Sequence, residues 1–158
     1  MPGRCNTVVA LLALLSPGTV LAQDIPPEKA EEIIREIQES HISANVPPDA
    51  DFHRILRCDL SAYFSTEAVP NPSVEYELLR DGPTQSGIAY PKFYVWIRVQ
   101  TSPVRQGVAR LAAIDRERFE VTHFIEQGAI VGDPSQLDAL FPAPVAAAIK
   151  AKANQGAP

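Results

Sequence analysis

The chain has 158 residues, 46% of them hydrophobic and 21% charged, with a net charge of −5. That is enough apolar material for one core and too little net charge for a disordered chain. The acidic balance without a Lys/Arg cluster argues against nucleic acid and anionic membrane surfaces as partners, and two cysteines, Cys5 and Cys58, are too few for a disulfide framework.

Residues 1–22 carry the three parts of a secretory signal. Arg4 lies near the start, an apolar run covers 8–15, and Val20-Leu21-Ala22 forms a small-residue exit. The run is interrupted by Ser16-Pro17-Gly18, so it falls well short of the roughly 20 residues that span a bilayer. The sequence therefore predicts an exported protein, periplasmic or extracellular, that begins near Gln23. Gln23 rather than Cys follows the exit, so neither a lipid tether nor membrane insertion after cleavage is expected. Removal of Arg4 with this segment takes the net charge from −5 to −6 and leaves Cys58 as the one thiol. A single thiol forms no internal disulfide, and Cys58 is expected to be buried and inert. Residues 23–153 read as one domain and 154–158 as a frayed tail.

After Pro26-Pro27, Ala30, Ile33, Ile34, Ile37 and His41 recur at the spacing of one helical face, with Glu28, Glu31, Glu32, Arg35, Glu36 and Glu39 opposite. The pattern predicts a helix over 27–42 that ends before Pro47-Pro48, and its charged face reads as solvated. Phe52, Ile55, Leu56, Leu60, Tyr63 and Phe64 predict a second helix over 51–65, with Asp49 or Asp51 as its N-cap.

From residue 74 the period changes from 3.6 to 2. Strands are expected over 74–78, 93–100, 104–114 and 119–126, the second giving the strongest signal: Phe93, Val95, Ile97 and Val99 alternate with Tyr94, Trp96 and Arg98. Gly107 suggests a bulge or bend in the third strand. A longer loop over 81–87 links the first pair, and the short links between the last three strands allow only antiparallel neighbours, hence a meander. Near the C-terminus, Asp133 and Pro134 read as a cap and a first helical residue, and 145–153 as a closing helix.

Two N-terminal helices, a four-stranded antiparallel meander and a C-terminal helix make an α+β fold, with an amphipathic helix over one face of a curved sheet. This order of elements resembles the cystatin-like and nuclear-transport-factor-2-like architectures, in which a sheet wraps a long helix. The resemblance lies in element order and implies no site residue.

His123 shares a predicted strand face with Phe119, Val121 and Ile125, and a desolvated imidazole there would serve as an acid or base; Asp115 is near in sequence. His53, Cys58 and Asp59 invite a metal reading. On a helix, however, His53 and Cys58 point roughly 140° apart, so no metal and no cofactor are expected. Ser61 and Ser86 lack the strained elbow of a catalytic serine, and no phosphate-binding glycine loop is present. Tyr94, Trp96 and Arg98 project from the face opposite the aliphatic row, and exposed aromatics with an arginine are the makings of a binding surface. The favoured reading is an exported, non-enzymatic binding module for an unknown protein or small-molecule ligand. One rival is a cofactor-free enzyme performing proton transfer or hydrolysis with His123. Another is a dimeric structural protein of the cell envelope.

Overall fold

The computed structural model describes residues 26–155. The segment read as an export signal, the cleavage point and residues 156–158 lie outside the described residues.

The helical period at the N-terminus produces α1 (Pro27–Asn45) and α2 (Asp49–Phe64). Pro27 occupies the first turn of α1, where its missing N–H costs nothing. α2 begins after Pro48 and has no side-chain cap; Asp49 and Asp51 lie in its first turn, where carboxylates favour the positive end of the helix dipole. The apolar stripe of α2 is buried through Phe52, Ile55, Leu56, Leu60 and Phe64. That of α1 is not. Ile33, Ile34 and Ile37 are exposed, Ile34 to 54%, and α1 meets the body through β3 and its half-buried C-terminal residues. The expected long helix over the sheet is therefore α2, the shorter of the two.

Period-2 alternation produces β1 (Val74–Leu78), β2 (Lys92–Val99), β3 (Arg105–Asp115) and β4 (Arg118–Glu126), an antiparallel meander in the order β1-β2-β3-β4. Thr101 Oγ1 donates to Pro103 O at 2.7 Å in the β2–β3 link, and Asp115 Oδ1 accepts from Glu117 N at 2.9 Å in the β3–β4 turn. Gly107 sits in regular register opposite Ile97 and Glu126. It is not a bulge; it allows β4 to approach, because a Cβ there would lie 2.1 Å from Ile125 O. The register shifts fall elsewhere: Arg110 pairs with His123 and Leu111 with Val121, leaving Thr122 as an extra residue in β4, and Ala113 pairs with Phe119 and Asp115 with Arg118, leaving Ile114 as an extra residue near the end of β3.

The C-terminal segment forms three helices, α3 (Gln127–Gly132), α4 (Gln136–Leu140) and α5 (Ala143–Gln155). Asp133 terminates α3 rather than capping α4, and its Oδ1 accepts from the Ser135 amide at 3.1 Å. α5 runs two residues into the segment read as a tail. These helices close the second sheet face, so the α+β fold has three layers and two cores. Phe93, Val95, Ile97, Val99, Leu111 and Phe119 pack with α2, whereas Tyr94, Trp96, Val108 and Ile125 pack with α3, α4 and α5 through Ile130, Leu137, Phe141, Val145 and Ile149. Among the described residues no helix is long and apolar enough to cross a membrane.

Candidate functional site

β2 alternates, so Tyr94, Trp96 and Arg98 share the face opposite the aliphatic row, and α5 divides them. Tyr94 is 3% exposed and Trp96 5%. The expected exposed aromatic surface is therefore part of the second core. Tyr94 and Trp96 are too large and apolar to be left in water, and what covers them is the chain's own C-terminal helices. Tyr94 Oη shares a 2.7 Å hydrogen bond with Thr84 Oγ1, which satisfies its one polar atom.

Arg98 emerges beyond the end of α5 and remains exposed. Glu75 and Gln106 are its register partners, yet among the described residues no acidic group lies within ion-pair distance of it. It borders two grooves. One, of about 310 Å3, lies between β1 and the end of α5, lined by Glu75, Trp96, Gln106 and Lys152; Lys152 Nζ reaches Glu77 Oε2 at 2.5 Å across it. The other, of about 800 Å3, runs between the segment after α2, the β2–β3 link and the start of α3.

The second groove has a rigid wall. Arg105 Nε donates to Glu126 Oε1 at 2.8 Å, and its guanidinium carbon lies 5.3 and 5.4 Å from the ring centroids of Phe64 and Phe124. A guanidinium over aromatic faces and bonded to a carboxylate is held in place. Gln127 Nε2 donates to Ala153 O at 2.7 Å and ties α3 to the end of α5. Of the two arginines lining this groove, Arg105 is held by these contacts, and Arg98 has no ion-pair partner among the described residues.

His123 is placed differently from its expectation. The bulge at Thr122 moves every later residue to the opposite face, so His123 and Ile125 face the C-terminal helices while Phe119 and Val121 face α2. Asp115 remains at the turn, several residues along β3 from Arg110, the register partner of His123. His123 Nδ1 is buried without a hydrogen-bond partner among the described residues. Burial, and then the charge of Arg110, lower its pKa. It lines neither groove.

The three residues of the metal reading part company. His53 Nδ1 and Tyr76 Oη lie 2.6 Å apart. Asp59 Oδ2 accepts from Phe119 N at 2.6 Å, tying α2 to β4. Cys58 is exposed, contrary to the expected buried thiol, because it falls on the outer face of α2. Among the described residues no three His, Cys, Asp or Glu side chains converge on one point. Arg105 was missed by sequence reasoning, although its place just after the β2–β3 link marked it as a neighbour of Arg98.

The chain matches no protein-family model, and no curated protein and no solved structure matches it.

Proposed function

We propose that this protein is an exported, non-enzymatic binding module whose ligand surface is the rim formed by Arg98 and the two grooves it borders. The observation that carries the reading is Arg98 itself: an exposed guanidinium, without an ion-pair partner among the described residues, between grooves of about 310 and 800 Å3. Arginine offers five N–H donors in a planar fork that matches carboxylates, so the ligand is one that presents an acidic group, and an open groove suits an extended segment better than an enclosed small molecule. Residues 1–22 support export. The non-enzymatic reading draws on His123, the acid or base expected from the sequence, which faces the C-terminal helices away from the α2 side and lines neither groove.

Trp96 is the sole tryptophan and lines the smaller groove beside Arg98, so its fluorescence reports on occupancy. Titration with an acidic decapeptide is expected to give a saturable change, and Arg98→Gln is expected to weaken it about tenfold or more, since hydrogen bonds to charged groups contribute about 1.5–3 kcal/mol. Equal affinity of the variant and the parent refutes the assignment.

A second reading, an assembly protein acting as a dimer, draws on Ile33, Ile34 and Ile37, which α1 leaves exposed on one side. Sedimentation at two concentrations decides it: a dilution-independent monomer mass rules it out.

A further inference from the structure

A third cavity, of about 280 Å3, lies on the same sheet face at the end opposite Arg98, where α4 gives way to α5. Its walls are the loop between β1 and β2, the start of β2, Arg110 of β3, and Leu140 with Pro142. The loop wall is fixed without any ligand. Thr84 N donates to Lys92 O at 2.8 Å and Lys92 N to Thr84 O at 2.9 Å. The Thr84 hydroxyl meets Tyr94 Oη, and Gln85 Nε2 donates to Gly87 O at 2.9 Å and to Ala89 O at 2.5 Å. A cavity held this way loses little entropy when it is filled.

Its charge is one-sided. The lining contains two cations, Lys92 and Arg110, and no carboxylate. Neither cation belongs to an ion pair among the described residues. Arg110 is half-buried and its plane is set by two bonds, Nε to Thr122 Oγ1 at 3.1 Å and Nη1 to Leu140 O at 3.2 Å. Two of its five N–H donors are used, and Nη2 makes no bond among the described residues. Lys92 is half-buried too, with no side-chain hydrogen bond among them. Two half-buried positive charges line one small cavity that has no carboxylate in its wall, which favours an anion placed between them. The rest of the lining is mixed: Tyr90, Leu140 and Pro142 supply apolar surface, while Gln85 and Ser86 add polar atoms, among them the buried Gln85 Oε1, an acceptor without a hydrogen-bond partner among the described residues.

We propose that this cavity binds a small organic carboxylate, its anionic head between Lys92 and Arg110 and its apolar body against Tyr90, Leu140 and Pro142. The site shares no lining residue with the grooves at Arg98, so the two assignments fail or succeed separately.

The test titrates the purified protein with benzoate, inorganic phosphate and benzyl alcohol while the backbone amide shifts of Thr84, Lys92 and Arg110 are followed by NMR. Benzoate is expected to saturate these shifts and to bind about tenfold or more tightly than either of the others, because it alone has both charge and apolar body. Lys92→Gln and Arg110→Gln are each expected to weaken benzoate about tenfold, and Arg98→Gln to leave it unchanged. Arg110→Gln also removes the bond to Leu140 O, so Lys92→Gln, which breaks no side-chain bond among the described residues, carries the test if that variant does not fold. Equal binding of benzyl alcohol, equal binding of phosphate, absence of saturable shifts, or full affinity in Lys92→Gln overturns the proposal.

Discussion

Gly107→Ala is a small change with a large expected effect. The added methyl would stand 2.1 Å from Ile125 O, 2.9 Å from Glu126 Cα and 3.0 Å from Ile125 C. All three are backbone atoms of β4, so no side chain can swing aside and the strand itself must retreat. Clearing the carbonyl oxygen takes more than an ångström, which stretches the β3–β4 ladder where Gly107 pairs with Glu126. Overpacking of a tight site costs about 1–3 kcal/mol, and a ladder hydrogen bond lost with it adds about 1 kcal/mol. The expected destabilisation is about 2–4 kcal/mol. At roughly 4 °C per kcal/mol for a domain of this size, Tm falls by roughly 8–16 °C. Thermal melts by circular dichroism measure it directly, and urea titration should show a lower midpoint at an unchanged m value. Gly128→Ala in α3 is the control: nothing lies within 4 Å of its new Cβ, so helix propensity alone acts and the variant should be neutral or slightly more stable. Equal Tm values for Gly107→Ala and the parent would refute the close approach of β4.

Trp96→Ala is expected to cost about 3–5 kcal/mol as the loss of a core aromatic, and a urea midpoint equal to the parent's would return Trp96 to the surface. Asp59 concerns pH: burial raises its carboxyl above the ordinary range, against the lowering effects of the Phe119 amide and Arg118. The folded state therefore holds this proton more tightly than the unfolded chain, and the resulting stability is full below about pH 4 and lost as pH rises through the folded-state value. Asp59→Asn keeps an acceptor for Phe119 N and should flatten that part of the stability profile; parallel profiles for the two proteins would disprove the shift. His123 has the opposite sign. Its lowered pKa favours the neutral ring, so its contribution is present above about pH 6.5 and lost as pH falls through the folded-state value. An NMR titration should place its midpoint below the ordinary histidine value, and Arg110→Gln should bring it only part of the way back, because burial is the larger cause; a midpoint at or above the ordinary value contradicts both.

Much of the candidate site was legible in part. The alternation of β2 points to Arg98, which borders both grooves, and to Trp96, which lines the smaller one. Lys92 and Arg110 were not found, although the short β2–β3 link already fixed Arg110 opposite Tyr94 once Val99 was set opposite Arg105. Their convergence depends also on the β1–β2 loop folding back through Thr84, which no local pattern announces. α3 was missed because six residues with two glycines show no measurable period.

The alternation of residues along the chain was enough by itself to set the four strands, the meander and the two N-terminal helices, since period and turn length are properties of neighbouring residues. It also separated an aliphatic face of β2 from one carrying Tyr94, Trp96 and Arg98. Only the tertiary structure decided what covers each of them, because burial is settled between segments far apart in sequence. α2 closes one face and the C-terminal helices the other, which turns Tyr94 and Trp96 from a surface into a core. The same holds for His123. One unpaired residue, Thr122, reverses its face, and a bulge arises from how two strands fit together rather than from the composition of either.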